Sequence, residues 1–317
     1  MSDGGAGETP ELHSVYLGTS EFAATVLSRL AASPHRPRLV VTPPDRRRGR
    51  GRRPGSPPVA LAAGELGIDL HQTESVNLEE SRAAIASAGP SIGLVCAFGQ
   101  LIKEPLISEL PMLNVHPSLL PRWRGAAPIE RAIMAGDERT GVCVMRLTEG
   151  LDSGPVALRE EVRIEPGDDY GALSARLAER GGLLLVEALD RHARGALELA
   201  EQDEDGVTYA EKIEGGERRV DPARPAPAEA LRVRGLSPHM GAYVELAGGE
   251  RLGIRSVAPS PQGPGEPGRF ELLEGRLVLG CGRGGLAIAE VKPSGGRWMA
   301  AADYVRGHGL PGEASPA

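Results

Sequence analysis

Short apolar runs alternate with helical stretches through the first part of the chain. Such runs predict buried strands, and they lie at residues 14–17, 38–42, 91–99 and 112–116. Between them, residues 20–31, 57–68 and 81–89 have the composition or spacing of helices. The order strand, helix, strand, helix, strand is typical of a parallel sheet covered by helices, which is the α/β fold class.

The first two helices have clear end signals. Apolar residues recur with helical spacing from Phe22 to Leu30, and Thr19 or Ser20 is placed to cap the N-terminus of this helix. Gly67 closes the helix at residues 57–68. These signals fix where the chain leaves each predicted helix and turns toward the next strand.

The chain beyond residue 116 continues the α/β pattern and then changes. We expect a helix at residues 125–136, two paired strands at 140–147 and 154–164, and a long helical stretch over 168–195. Gly181 and Gly182 are expected to interrupt that stretch. After an acidic segment, short alternating strands broken by glycine pairs predict a small β-barrel or sandwich, with a helix at residues 225–236 at its entrance.

These patterns predict two domains. The expected boundaries are a disordered N-terminus at 1–12, a first domain at 13–200, a linker at 201–219, a β-barrel domain at 220–310 and a flexible tail at 311–317.

Composition is that of an ordinary globular protein. The 317 residues carry a formal net charge of −7, with 40% apolar and 25% charged residues. Cys96, Cys143 and Cys281 are widely spaced, so we expect buried free thiols and neither disulfides nor a metal site. The acidic N-terminus has no apolar segment, and no run approaches the ~20 residues that span a bilayer. We therefore expect a cytoplasmic bacterial protein.

One segment runs against the acidic balance of the chain. From Pro44 to Arg53 the sequence carries six arginines and one aspartate, a local charge of +5. Short charge runs are usually solvated surface, and a phosphate-contacting arm is the alternative. Only three of the 36 basic residues are lysines, so arginine is common throughout and charge alone does not separate the two interpretations.

The strongest candidate chemistry lies in "NVHPSLLPRWRGAAP", residues 114–128. Asn114 and His116 are two residues apart, so they share one face at the end of a predicted strand, where ligands bind in open α/β sheets. An amide can donate to an oxyanion and an imidazole can hold a proton from an attacking amine, which suits acyl transfer. Asp152, within "GLDSG", is a candidate to orient His116 or a water. By itself, such a pair is more often part of a hydrogen-bonded turn, and Asp152 could cap its own turn.

This run, with "GLDSG" downstream, resembles the methionyl-tRNA formyltransferases of the folate-dependent formyltransferase family. Further matches are "LGTSEFAATVL", "PPDRRRGRGRRPGSPPV", "CAFGQLI" and "VTYAEKI". The resemblance departs at Phe98, where the family has tyrosine, and at "LSPHMGAY", where the family has an aromatic N-P-W-P stretch. With 3% aromatic residues, contact of the C-terminal domain with tRNA is expected to depend on phosphates.

The resemblance implies a Rossmann-like formyltransferase domain with a mostly parallel sheet and a smaller OB-like β-barrel. It implies formyl transfer from 10-formyltetrahydrofolate to methionyl-initiator tRNA for translation initiation, without a metal, and we expect a monomer without membrane contact. The implied catalytic residues are Asn114, His116 and Asp152. The implied folate contacts are Phe98, Gly99, Gln100, Leu101, Ile102, Ser118, Leu119, Leu120 and Pro121. The implied tRNA contacts are Arg46, Arg50, Arg52, Arg53 and Lys212.

Two alternatives remain at this point. A formyltransferase acting on a nucleotide-linked amino sugar would share the Asn114, His116 and Asp152 set, but the arginine segment and the β-rich C-terminal domain disfavour it. A nucleic-acid-binding protein without catalysis would explain the arginine segment alone.

Overall fold

A computed structural model describes residues 12–48 and 53–317 of the chain. It divides into two compact units. The N-terminal unit contains the chain up to residue 125 together with residues 140–162 and 174–209. The C-terminal unit contains residues 126–139, 163–173 and 210–317. Two short segments that precede residue 210, 126–139 and 163–173, therefore pack with the C-terminal residues, which a contiguous division of the sequence does not express.

The N-terminal unit is built on a mostly parallel sheet. The strands up to residue 163 are β1 (Ser14–Gly18), β2 (Leu39–Thr42), β3 (Arg46–Arg48), β4 (Arg53–Gly55), β5 (Asp69–Gln72), β6 (Ile92–Cys96), β7 (Met112–His116), β8 (Arg124–Gly125), β9 (Arg139–Arg146) and β10 (Val156–Arg163). The described residues form a sheet in the order β10–β9–β7–β6–β1–β2–β5. The pairs from β7 to β5 are parallel, whereas β9 is antiparallel to β7. The α/β prediction and the pairing of the strands after residue 139 are confirmed.

Helices connect and cover these strands. In the N-terminal unit they are α1 (Glu21–Ala31), α2 (Pro58–Leu66), α3 (Glu79–Ser87), α4 (Leu106–Glu109) and most of α6 (Tyr170–Ala193), whereas α5 (Pro128–Ala135) belongs to the C-terminal unit. The hydroxyl of Ser20 accepts a hydrogen bond from Ala23 N and caps α1, while Gly67 ends α2 with a left-handed φ of 65°. The predicted caps are confirmed. They could be predicted from the sequence because a cap depends only on neighbouring residues.

Helix α6 runs without interruption, so the expectation that Gly181 and Gly182 break it is wrong. A Cβ at Gly181 would lie 2.9 Å from Cγ1 of Val115, and one at Gly182 would lie 2.7 Å from Cβ of Arg29. The two glycines allow α6 to pack closely against its neighbours. Strand β5 is an edge strand that the apolar pattern missed, since its four residues "DLHQ" are polar or exposed.

The arginine segment contains a short hairpin instead of a loop throughout. Strands β3 and β4 pair antiparallel, with Arg46 opposite Gly55. At its base, the carboxylate of Asp45 accepts hydrogen bonds from Ser56 Oγ (3.0 Å) and Gln72 Nε2 (2.8 Å). Residues 49–52 lie outside the described part of the chain. The hairpin therefore begins from a fixed point beside the sheet edge.

The C-terminal unit is built on a separate antiparallel sheet, as expected of the smaller domain. After the short strand β11 (Tyr209–Ala210), its strands and helices are β12 (Ala242–Glu245), β13 (Arg251–Ser260), β14 (Phe270–Leu273), β15 (Arg276–Gly280), β16 (Gly285–Lys292), β17 (Met299–Ala300), α7 (Ala226–Leu236), α8 (Ala301–His308) and a 3-10 turn at Gly215–Arg218. The described strands pair in the order β12–β13–β16–β15–β14, and β17 joins β16. Buried side chains of α7, including Val233 and Leu236, pack against apolar residues of this sheet such as Ile254.

The chain end differs from the expected flexible tail at 311–317. Ala314 N donates to Gly268 O and Ser315 N donates to Glu245 O, each at 2.8 Å. Ala314 is also buried. Backbone hydrogen bonds thus hold Ala314 and Ser315 on the C-terminal sheet. Across the described ranges, no helix combines the length and apolar character that crossing a bilayer requires.

Candidate active site

The carboxyl end of β7 carries the candidate pair. Asn114 and His116 are both buried, and the two-residue period of the strand gives them one face. Asn114 lies opposite Val95 of β6 and Met145 of β9, so β7 is flanked on both sides. A strand with two neighbours holds these side chains on a rigid support.

Asp152 lies in the turn between β9 and β10 and meets both residues of the pair. Its Oδ1 accepts from Asn114 Nδ2 at 3.4 Å, and its Oδ2 lies 3.7 Å from His116 Nδ1. Oδ2 also accepts a hydrogen bond from Gly125 N at 2.9 Å. The Asp152 side chain is 15% exposed. The structure therefore brings together the three residues that the sequence singled out, although Asp152 is 38 positions from Asn114.

The ring of His116 has a defined proton arrangement. Its Nε2 lies 2.9 Å from the carbonyl oxygen of Trp123. A carbonyl only accepts, so Nε2 carries a proton and donates it. In the neutral ring, Nδ1 is then the free acceptor, and it is the atom that faces Asp152.

The turn that contacts His116 and Asp152 is supported from residues 202–208. Trp123 N donates to Thr208 Oγ1 and Arg124 N donates to Thr208 O, each at 2.9 Å. Gln202 donates through Nε2 to the carbonyl oxygens of Asp152 (2.8 Å) and Gly154 (2.7 Å). Sequence reasoning missed Gln202 because it stands alone in an acidic segment, with no motif around it. Thr208 belongs to "VTYAEKI", which was the one available signal.

The thiol beside the site is not a nucleophile. Cys143 lies opposite His116 in the sheet and is fully buried. Burial raises the pKa of the Cys143 thiol to about 11, so it stays protonated at neutral pH. All three cysteines are free and buried, as expected.

The predicted folate residues after β6 form an open segment at the carboxyl edge of the sheet. Phe98 and Ile102 are buried, whereas the side chain of Leu101 is 70% exposed. The amide of Gln100 accepts from Val76 N (2.8 Å) and donates to Thr73 O (2.9 Å). Gln100 thus holds the segment in place, and Leu101 is left open to solvent.

The second predicted folate stretch, residues 118–121, follows β7. Ser118 and Leu120 are buried, and Ser118 Oγ donates to the carbonyl of Arg122 at 2.7 Å. Leu119 and Pro121 are half-buried. The side chains of Ser118 and Leu120 shape the loop, and Leu119 and Pro121 retain accessible surface.

The predicted tRNA residues have different surroundings. Arg46 is exposed and its Nη2 lies 3.1 Å from Glu74 Oε2. Arg50 and Arg52 lie outside the described residues, Arg53 begins β4, and Lys212 is exposed.

Within the described ranges, no group of three or more histidine, cysteine or acidic side chains could hold a metal ion.

Known proteins similar to this chain point to one family. A family model described as "Formyl transferase" matches residues 12–189, and one described as "Formyl transferase, C-terminal domain" matches residues 212–309. A methionyl-tRNA formyltransferase of Parvibaculum lavamentivorans is 42% identical over 303 residues, covering 94% of this chain and 98% of that protein. A methionyl-tRNA formyltransferase of Ruegeria pomeroyi is 41% identical over 300 residues, covering 94% and 97%.

Solved structures share the fold at low identity. HypX from Aquifex aeolicus, in complex with tetrahydrofolic acid, is 17% identical with a TM-score of 0.65, over 93% of this chain and 47% of that chain. An N-formyltransferase from Helicobacter canadensis, in complex with folinic acid and dTDP-3-aminofucose, is 15% identical with a TM-score of 0.61, over 87% and 98%. Since both family models and relatives above 40% identity span nearly the whole sequence, this chain belongs to the formyl transferase family.

Proposed function

We propose that this protein transfers the formyl group of 10-formyltetrahydrofolate to the amino group of methionyl-initiator tRNA. The observation that carries the proposal is the identity of about 42% with a methionyl-tRNA formyltransferase along both units of the chain. Structural neighbours that act on amino sugars are below 25% identity, so they support the fold and not their own substrates.

The three side chains of the site have complementary proposed roles. The amide of Asn114 donates to the formyl oxygen as negative charge develops there. His116 accepts the proton of the attacking amine at Nδ1, because its Nε2 already donates to Trp123, and returns a proton to N10 of tetrahydrofolate as the bond between N10 and the formyl carbon breaks. The carboxylate of Asp152, 3.7 Å from Nδ1, stabilises the resulting imidazolium and orients the side-chain amide of Asn114.

The formyl donor fits the open segment after β6. 10-Formyltetrahydrofolate supplies an activated formyl group, so the protein needs chiefly to bind the donor and direct this group toward β7. Leu101 offers an exposed apolar side chain that a ring system would cover, in the segment that follows β6, the strand paired with the one that bears Asn114. Gln100 and Phe98 contribute by fixing the backbone, since Thr19 Oγ1 donates to the Phe98 carbonyl at 2.5 Å.

Two surfaces are proposed to contact tRNA. The arginine hairpin would meet phosphates, with Arg50 as the arginine that matches the family motif. On the C-terminal sheet, the guanidinium of Arg251 lies 4.6 Å from the ring centre of Tyr243, and that of Arg255 lies 4.5 Å from Trp298. Arginines stacked on aromatic rings can bind both phosphates and bases, which supports a proposal that this domain contacts bases as well as phosphates.

The acceptor is tested directly. The protein is incubated with 10-formyltetrahydrofolate and either charged initiator tRNA or a UDP-amino sugar, and formylated product is measured. We expect product only with the tRNA. If the sugar is formylated and the tRNA is not, the proposed acceptor is wrong. If neither is formylated, the proposal that this protein transfers a formyl group to either acceptor is wrong.

The contribution of Arg50 is tested by salt dependence. Arg50→Ala should raise the apparent KM for tRNA and reduce the slope of log KM against log salt by about one unit, as expected for one lost phosphate contact. Arg191→Ala removes the same charge from an exposed position of α6 and serves as the control. Equal slopes for the two variants would return Arg50 to the solvated surface.

A further inference from the structure

The side chain of Gln202 connects two turns of the proposed site. Its Nε2 donates to the carbonyls of Asp152 and Gly154, and its Oε1 accepts from Nε (3.0 Å) and Nη2 (2.8 Å) of Arg124. Carbonyls need a donor and a guanidinium needs an acceptor, so only one orientation of the amide satisfies both sides. All four hydrogen-bonding positions of the amide are therefore used.

Both neighbours of Arg124 touch the site. The carbonyl of Trp123 receives the Nε2 proton of His116, and Gly125 N donates to the carboxylate of Asp152. Gln202 thus binds the backbone of the Asp152 turn on one side and, on the other, the side chain of the residue between Trp123 and Gly125, while it bonds to the side chain of neither His116 nor Asp152.

The backbone at these points needs such support. Trp123 has a φ of 64° and Asp152 a φ of 45°, both in the left-handed region that few residues other than glycine adopt. Such conformations persist where the surroundings fix them, and the Gln202 hydrogen bond reaches the carbonyl of Asp152 itself. A change at Gln202 would release the turn and move the carboxylate.

We propose that Gln202 is a positioning residue of this site, which sets the place of the Asp152 carboxylate relative to His116 Nδ1 and Asn114. It contacts none of the reacting groups and acts through Asp152. The inference rests on the proposed formyl transfer, because only a reaction that uses Asp152 gives this geometry a consequence.

The first test is Gln202→Glu, which keeps the shape of the side chain. The carboxylate can still accept from Arg124, but it presents an acceptor to two carbonyls and loses both donated bonds. We expect kcat to fall on the order of 10²-fold, as for a small displacement of a reacting geometry, with little change in the KM for tRNA and in Tm. Gln262→Glu makes the same change at an exposed position of the C-terminal unit and should retain full turnover.

A double-mutant cycle separates positioning from a merely structural role. In an Asp152→Asn background, the fold decrease in kcat caused by Gln202→Glu should be less than about one tenth of the decrease in the wild type, since the effects of coupled residues are not additive. An unchanged kcat in Gln202→Glu overturns the proposal. So does an equal loss in both backgrounds, which would mean that Gln202 supports the fold independently of Asp152.

Two provisions keep the test decisive. If Gln202→Glu does not fold, Arg124→Met removes the anchor of the amide from the other side, and the same cycle is measured with it. The acceptor of the wild-type protein is determined beforehand. Formylation of an amino sugar in place of tRNA would reject the proposed function, while the cycle measured with that sugar would still decide the role of Gln202.

Discussion

Asp152 and Glu229 are two shielded carboxylates whose partners differ in kind. Asp152 is 15% exposed and is bound by the backbone of Gly125, by the Asn114 amide and by an imidazole that can gain or lose a proton. Glu229 has no exposed side-chain surface and lies 3.1 Å from Arg232 Nε and 3.4 Å from Arg224 Nη1. Arginine keeps its charge at any working pH. A carboxylate paired with permanent cations stabilises the fold. A carboxylate beside neutral donors and an imidazole can instead stabilise that imidazole when it takes up a proton during a reaction.

The position of Glu229 in the chain agrees with that distinction. It lies in the first turn of α7, where the helix dipole favours a negative charge, and its Oε2 accepts from Asp221 N at 3.1 Å. Burial nevertheless raises the pKa of Glu229 above its ordinary value, against the attraction of Arg232. Its charge is thus held at a cost, which is the usual condition of a buried ion pair.

The largest expected effect is on catalysis at Asp152. Asp152→Asn keeps the size of the side chain but removes the charge beside His116, so kcat should fall by ~10²–10³ while Tm stays close to that of the wild type. Single-turnover formylation measures it. Asp69→Asn at the exposed start of β5 is the matched control. If Asp152→Asn destabilised the protein as much as Glu229→Ala does, the two carboxylates would not differ in the way described.

The next effect is on stability at Glu229. Glu229→Ala leaves the shielded guanidinium of Arg232 without its carboxylate, which should destabilise the C-terminal unit by about 3–5 kcal/mol. Urea unfolding measures this change. Glu187→Ala removes an exposed partner of Arg191 and should cost no more than about 0.5 kcal/mol. Equal losses of unfolding free energy in the two variants would show that the buried ion pair contributes no more to stability than the exposed one.

The smallest effect is a difference in pH dependence between two glutamates of the C-terminal unit. The raised pKa of Glu229 means that its stability contribution is full below the unfolded pKa of ~4.3 and is lost as pH rises through the folded value. A hydrogen bond from Arg255 lowers the pKa of Glu290, so its contribution is present above the unfolded pKa and is lost as pH falls through the folded value. Relative to the wild type, Glu229→Gln and Glu290→Gln should therefore change the slope of unfolding free energy against pH in opposite directions. Urea unfolding between pH 3 and 7 checks the signs, and slopes changing in the same direction would contradict both assignments.

Features set by neighbouring residues could be predicted from the sequence. The two-residue spacing gave Asn114 and His116 one face, Ser20 capped α1, and Gly67 ended α2. The hydrophobic effect and backbone sterics act over one or two turns, so their patterns are visible in the chain. The α/β order and the separate β-rich C-terminal unit follow from the same patterns.

Contacts between distant segments required the tertiary structure. The sequence showed neither that Gln202 reaches Asp152 nor that Trp123 fixes the proton of His116 on Nε2. It also presented Gly181 and Gly182 as breaks in a helix, when they make room for Val115 and Arg29. A hydrogen bond or a close approach depends on which groups the packed core brings within about 3 Å, and no local pattern encodes that distance. The sequence by itself determined the candidate residues Asn114, His116 and Asp152, and the packing of remote segments decided how those residues face one another.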